Sequence, residues 1–396
     1  MSRGVRHTIH RRCQRGRALA LLAATGCRFA QPLGDSPPAD ARAEAAADVA
    51  PSDSDKLAWR FDQAAAGGLR SCATVAGFVW CWGAHWGGSL GRELDAAQPR
   101  ALVVPGVDAV TGLAMGDRFT CALRRGAVWC WGENGAGQLG VEAPDHRAEP
   151  AVVALPGEAT AVSAGAQSAC ARVAGRWWCW GSLAGAAPRE EAWLAGADAV
   201  ALGFAHRCAW WREGDGGRVR CAGDNTAGQL GDGTADARAE PVDLPARDGA
   251  ARRDVVALRV TDFTTCVLLA GGREVTCWGT ITPAASVTVR STEPLRDLAL
   301  GARHVCGLTL AGRVACWGDG ADGQLGDGTA RSAGDAMGEV PLPAGAVAGS
   351  IAAGSRHTCA RTLTGDALWC WGLNVSGQLG AGDIEPRAAP VRVVTP

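Results

Sequence analysis

The 396-residue sequence is short of most features that would announce a chemistry. Its formal net charge is only −1, from 39 basic and 40 acidic residues. Six of the basic residues, all arginine, lie in residues 1–26, which hold no acid, so the remainder sets 33 basic against 40 acidic residues. Such a body lacks the basic footprint that displaces counterions from nucleic acid, and no nucleic-acid partner is expected. No apolar run approaches the roughly 20 residues that cross a bilayer. Despite sixteen cysteines, no C-x2-C pair marks a zinc site. Neither an EF-hand spacing, a charge run nor an amphipathic helical stretch is present. No cofactor or metal is expected.

What is present is repetition. Residues 119–140, FTCALRRGAVWCWGENGAGQLG, hold two short alternating runs around Arg125-Gly126, each with a cysteine, then Trp131-Gly132 and a glycine-rich loop. Variants recur with their second cysteine at Cys81, Cys130, Cys179, Cys221, Cys277, Cys316 and Cys370. A spacing of 39 to 56 residues, with strands in each unit, indicates blades of a β-propeller. The fold class expected is all-β, a seven-bladed propeller over residues 57–396. Proline-led runs at Pro150 and Pro241 read as further strands that begin on proline. Whether the last strand, around Val391 to Val394, completes blade 7 or closes the ring on blade 1 is left open by the sequence.

In the first three blades eight residues separate the paired cysteines, which fits a two-residue hairpin turn ending in glycine. Counting outward from Ala76-Gly77, Cys72 opposes Cys81 as a non-hydrogen-bonded pair, with Cα atoms about 4.5 Å apart. That lies inside the roughly 4.4–6.8 Å a disulfide tolerates. By analogy the later, longer turns give the same pairing. The expected bridges are Cys72 with Cys81, Cys121 with Cys130, Cys170 with Cys179, Cys208 with Cys221, Cys266 with Cys277, Cys306 with Cys316, and Cys359 with Cys370. Buried free thiols and zinc clusters are the competing readings. An export signal favours disulfides.

That signal is read in residues 1–26: a basic stretch, the apolar ALALLAA, then Thr25-Gly26-Cys27. The tetrad before and including Cys27 is similar to a bacterial lipobox, which makes Cys27 the expected lipidation site and a lipid anchor the expected membrane link. Residues 27–56, rich in Ala, Pro, Asp and Ser, read as a disordered linker. The expected location is extracytoplasmic, lipid-anchored in the envelope or secreted.

Period-two alternation puts Trp80 and Trp82 on the face opposite Cys81. The repeated Trp82, Trp131, Trp180, Trp278, Trp317 and Trp371, with Ala222 in blade 4, read as core. His206, His304 and His357 share one repeat position, where other blades have Arg70, Phe119, Ser168 and Thr264. Placed around a ring, they read as structural rather than catalytic. The G-x-G-x-x-G match at Gly135 lacks a following helix, and the G-x-S-x-G match at Ser89 occupies a repeat loop. Asp232 and Asp327, each before Gly-Thr, read as turn residues.

The pattern G-x-x-H-x-C-A-L, a turn, G-x-V-x-C-W-G and N-x-x-G-Q-L-G resembles the repeats of the regulator of chromosome condensation (RCC1) family. Residues 301–326 and 354–380 carry it most fully. The resemblance implies a seven-bladed ring of four-stranded antiparallel blades, and paired cysteines are similar to its exported bacterial branch. Family functions include nucleotide exchange on a small GTPase and protein binding from one ring face. The function expected here is a non-enzymatic, monomeric, protein-binding scaffold with an unidentified partner on a ring face. Alternatives are an exchange factor and an enzyme whose site is assembled from dispersed loops. Blades 3 and 5 have lost GQLG and blade 4 has an extended hairpin. The expected binding rim is therefore Ser182, Leu183, Arg212, Glu213, Thr280 and Ile281.

Overall fold

The computed structural model describes residues 59–395 except 142–143, 247–249 and 282–285. The expected signal, linker and Cys27 lie outside the described residues. Among the described residues twenty-eight strands form seven four-stranded antiparallel sheets, each from four consecutive strands. Blade 1 shows the plan: Phe61–Gly67, Arg70–Val75, Phe78–Gly83 and Gln98–Val103, paired in that order. The first strands of the blades touch one another in sequence around the axis. The circle closes where Ala348–Ala353 meets Phe61–Gly67. Arg387–Arg392 pairs with Leu368–Gly372, with Val391 opposite Cys370, so the C-terminal strand completes blade 7. Among the described residues no strand is exchanged between first and last blades; the two meet through packing and through backbone bonds such as Phe61 N–H to Gly365 O at 2.7 Å.

Each hairpin is built around its cysteines. In every blade the two cysteines face one another in register. All seven expected disulfides are formed, with Cα atoms 4.0–4.1 Å apart. In blade 1 the turn residues Ala76 and Gly77 have φ of +50° and +79°, the two left-handed positions of a type I′ turn. Blade 4 departs from expectation. Its extra residues lengthen the strands, which run to Glu213 and Gly216 around a two-residue turn, rather than enlarging the turn.

Prolines also sit differently from the sequence reading. Pro99, Pro150, Pro188, Pro241 and Pro390 lie inside fourth strands rather than at their starts. These are the outer edges of the sheets, where a missing N–H removes no ladder bond and discourages a foreign strand from adding on. Between blades, the indoles of the C-W-G positions fill the core: Trp82, Trp131, Trp180 and Trp371 are fully buried, and Trp317 and Trp278 nearly so. At roughly 25 cal/mol per Å² of apolar area, each indole contributes several kcal/mol to sheet-on-sheet contact.

Candidate functional site: the mouth rim and the blade junctions

Strand direction divides the ring into two rims. One carries the turns from first to second strand and the loops from third to fourth; the other carries the hairpin turns and the blade-to-blade connections. The first rim surrounds a mouth on the axis. A cavity of about 180 Å³ there is lined by all seven blades, including Gly68, Asp117, Ala166, Asp262, Ala302 and Ser355. Backbone bonds hold its wall: Phe204 N–H donates to Asp262 O at 3.0 Å, Ala302 N–H to Ser355 O at 3.0 Å, and Ser355 N–H to Gly68 O at 2.9 Å. Burial, reinforced by the negative charge of Asp262 and opposed by Arg70, pushes the Asp117 carboxyl up to about 6. Burial also raises Asp262.

Large side chains stand exposed around this mouth. Phe204 and Phe263, from blades 4 and 5, are 41% and 38% exposed with ring centroids 5.7 Å apart. On blades 1 and 2 the Arg118 guanidinium lies over exposed Trp86, 4.9 Å from the ring centroid. Neither pair was singled out from the sequence, because each joins residues of different repeats and only the ring brings them together.

The histidines are junction pieces. His206 Nε2 meets Thr265 Oγ1 of the next blade at 3.1 Å, His304 meets Thr358 at 2.8 Å, and His357 meets Ser71 at 2.8 Å. Burial holds all three imidazoles neutral, lowering them to about 4, 4 and 3. In blade 1 the same position is Arg70, fully buried. It donates to Thr120 Oγ1 and to the carbonyls of Ser89, Gly116 and Phe119. Burial lowers its pKa to about 10, so it remains charged at neutral pH. Apart from the Arg70 bond to Ser89 O, which stays within blade 1, each of these contacts crosses to the following blade, and none converges with another on an exposed site.

The Gly-Gln-Leu-Gly loops are the second half of the junctions. Asn134, Asn225 and Asn374 accept a hydrogen bond from the loop leucine N–H through their side-chain oxygens. Gln138, Gln229, Gln324 and Gln378 fold back onto the N–H two residues before them. Leu139, Leu230, Leu325 and Leu379 are buried against the next blade's tryptophan. The glutamine carbonyl accepts that indole N–H: Trp180 donates to Gln138 O, Trp371 to Gln324 O and Trp82 to Gln378 O, at 2.9–3.0 Å. Asp232 accepts from Thr234 and Asp327 from Thr329, as turn residues do.

The residues expected to form a binding rim are not brought together. Ser182, Leu183, Thr280 and Ile281 lie on the mouth rim, whereas Arg212 and Glu213 lie at the hairpin end of blade 4, on the opposite rim. Of the first four, Leu183 and Ile281 serve the junctions, while Ser182 and Thr280 bond within their own blades. Ser182 shares a 3.0 Å hydrogen bond with Ser168, Leu183 O accepts Arg207, Thr280 meets Thr264, and Ile281 packs near Trp317. Arg212 stacks on Trp210, and Glu213 pairs with Arg218 and Arg253.

Comparison with known proteins agrees with this architecture. Models of the regulator of chromosome condensation (RCC1) repeat match residues 110–138, 125–172, 296–324 and 350–378. The Arabidopsis thaliana ultraviolet-B receptor UVR8 is 32% identical over 198 residues, 45% of this chain and 43% of the receptor. Human RCC1 domain-containing protein 1 is 43% identical over 84 residues, 21% of this chain and 22% of that protein. The chain thus spans less than half the length of either relative. Among solved structures, human WBSCR16 superimposes with a TM-score of 0.69 at 22% identity, covering 81% of this chain and 94% of its own. Prp20p of Saccharomyces cerevisiae gives 0.67 at 20% identity, covering 81% and 87%. These structures share the seven-bladed fold.

Proposed function

We propose that this ring of RCC1 repeats is a non-enzymatic protein-binding scaffold that engages its partner through the mouth rim. The observation that carries the reading is the Phe204–Phe263 pair, two large apolar side chains left in water beside a cavity that all seven blades line. Paired aromatics with a polar surround are what protein interfaces use as anchors. The three buried histidines, the residues best suited to acid–base work, are already engaged at blade junctions, which weakens an enzymatic reading. Seven disulfides suit an oxidising, extracytoplasmic compartment, and that compartment weakens the exchange-factor reading. Protein binding has a parallel in Prp20p, whose structure is described with its binding to Gsp1p and histones. Anchorage through lipidated Cys27 belongs to the same proposal, and N-terminal mass spectrometry reads it directly.

The test is a double substitution, Phe204→Ser with Phe263→Ser, compared with wild type in affinity capture from envelope extracts. Both rings are substantially exposed, so the fold and Tm should hold. Loss of specifically captured proteins is expected; an unchanged set of partners at unchanged affinity would overturn the mouth as the binding surface.

A further inference from the structure

Only two charged side chains line the cavity on the ring axis, and both are acidic: Asp117 of blade 2 and Asp262 of blade 5. The rest of the lining is uncharged, and all of it lies within the described chain. Among the described residues neither carboxylate forms an ion pair or accepts a hydrogen bond from another residue. Burial raises both, and the negative charge of Asp262 raises Asp117 further. The two cations within electrical reach of Asp117 are engaged elsewhere. Arg70 serves Thr120 Oγ1 and three carbonyls, and Arg118 serves Glu133 and the Trp86 ring. A carboxylate enclosed without a partner costs free energy that a cation brought into the cavity would offset.

Two further features of the same mouth narrow the kind of cation. On the side of blades 6 and 7, His304 and His357 are fully buried, and among the described residues their Nδ1 atoms have no hydrogen-bond partner. Those ring edges face Gly301 and Gly354 of the cavity wall, where a built Cβ would come within 2.3 and 2.7 Å of Nδ1. Burial keeps both rings neutral, so they add polar atoms to the wall and no competing charge. On the side of blades 4 and 5, the aromatic pair adjoins a carboxylate directly. Phe263 follows Asp262 in the chain, and Phe204 N–H donates to Asp262 O at 3.0 Å. Carboxylates beside exposed aromatic faces suit a planar, weakly hydrated cation that can bond two acids and stack on a ring. A guanidinium has those properties and a compact ammonium does not.

We infer that the mouth takes an arginine side chain presented by a loop of the partner protein, with its guanidinium directed to Asp117 and Asp262 and its stem along Phe204 and Phe263. Charge complementarity names the occupant: the cavity supplies two negative charges, and the partner supplies the positive one. The phenylalanines then cover the aliphatic stem and keep water from the ion pair, the arrangement that makes buried arginines strong interface anchors. This deepens the scaffold reading above and rests on it, adding what the partner must carry.

The experiment uses the oxidised, full-length chain labelled with 15N at its six phenylalanines. The two backbone amide signals lost in Phe204→Ser and Phe263→Ser report on the mouth. Acetyl-argininamide is titrated beside acetyl-lysinamide and acetyl-citrullinamide, the last matching arginine in shape without its charge. Arginine should shift both signals saturably. Citrulline should bind roughly 10-fold more weakly or worse, the worth of one charge-assisted hydrogen bond, with lysine between the two. In Asp117→Asn with Asp262→Asn the preference for arginine should vanish. No saturable shift in wild type, equal affinity for arginine and citrulline, or a preference that survives the double substitution would each overturn the proposal. Lysine binding as tightly as arginine would overturn the choice of a guanidinium. The wild-type comparisons stand even if the aspartate variant does not fold. Capture from envelope extracts separates this inference from the reading beneath it. If the aspartate variant keeps its partners while Phe204→Ser with Phe263→Ser loses them, the arginine falls and the mouth remains.

Discussion

The junctions between blades 3 and 4 and between blades 5 and 6 both lack the Gly-Gln-Leu-Gly loop, but only the first has been rebuilt on both sides. On the blade 3 side, the chain passes almost directly into a fourth strand, Gly185–Glu190, and then places Leu194, fully buried, in the gap. On the blade 4 side the usual tryptophan is Ala222, and Arg207 reaches back to Glu191 at 3.0 Å, to Leu183 O and over the Trp193 ring. At the 5/6 junction blade 6 retains Trp317 unchanged, facing half-buried Ile281. A blade interface has two halves, and a change in one half is structural only when the other half has changed to meet it.

Acid should separate junction types most strongly. The neutral imidazoles lie at the 4/5, 6/7 and 7/1 junctions, and neither exceptional junction has one. Their folded pKa values, about 4, 4 and 3, lie below the ordinary histidine value of about 6.5. Below pH 6.5 the unfolded chain therefore binds protons that the folded chain refuses. The stability is fully present above pH 6.5 and is lost as pH falls from there toward 4, on the order of 3 kcal/mol per histidine. Asp117, raised to about 6, protonates in the folded state over the same interval and offsets part of the loss. Thermal melts between pH 7 and 4 should show a steep fall in Tm that becomes shallower in His304→Gln. An unchanged slope in that variant would remove histidine 304 from the account.

Truncation compares the two exceptional junctions directly. Leu194→Ala removes a fully buried side chain and should cost about 2–5 kcal/mol. Ile281→Ala removes a half-buried one from a junction that already contains a cavity, and should cost under about 1.5 kcal/mol. Glu191→Ala, which leaves Arg207 largely enclosed without its carboxylate, should fall between them at roughly 1–3 kcal/mol. Denaturant melts rank the three. Equal costs for Leu194→Ala and Ile281→Ala would mean that the 5/6 junction is as tightly filled as the 3/4 junction.

How much of this was legible in the sequence depended on whether a feature repeats. Blade count, hairpin register, the disulfides and the packing role of the tryptophans and histidines all follow from residues that recur at one phase. The loops were read less well. Conserved phase showed that GQLG belongs to the repeat, but not that its leucine and carbonyl serve the following blade, since that partner lies about 40 residues on. One signal was available: Ala222 replaces tryptophan in the blade immediately after the one that lost GQLG. Read as a pair, the two changes locate the junction. The supposed rim failed to gather for a similar reason, because Arg212 extends a hairpin and hairpins end on the opposite rim from the loops. Mouth features such as Phe204 with Phe263 were invisible, because adjacency around a ring is not adjacency in a repeat.

The smallest expected effect compares the tryptophans at the 5/6 and 6/7 junctions. Trp371→Phe and Trp317→Phe remove the same atoms from equivalent, nearly fully buried positions. Trp371 also loses a 3.0 Å hydrogen bond to Gln324 O, whereas Trp317 has no such bond to lose among the described residues. The buried carbonyl left behind by Trp371→Phe still accepts from Thr358 Oγ1 at 3.3 Å, so it is not stranded. The two substitutions should therefore differ by the net worth of one neutral hydrogen bond, about 1 kcal/mol, with Trp317→Phe the milder. Paired urea melts at pH 7 resolve a difference of that size when m is unchanged. If Trp317→Phe proves as costly as Trp371→Phe, the bond from Trp371 to Gln324 O adds nothing that distinguishes the two positions.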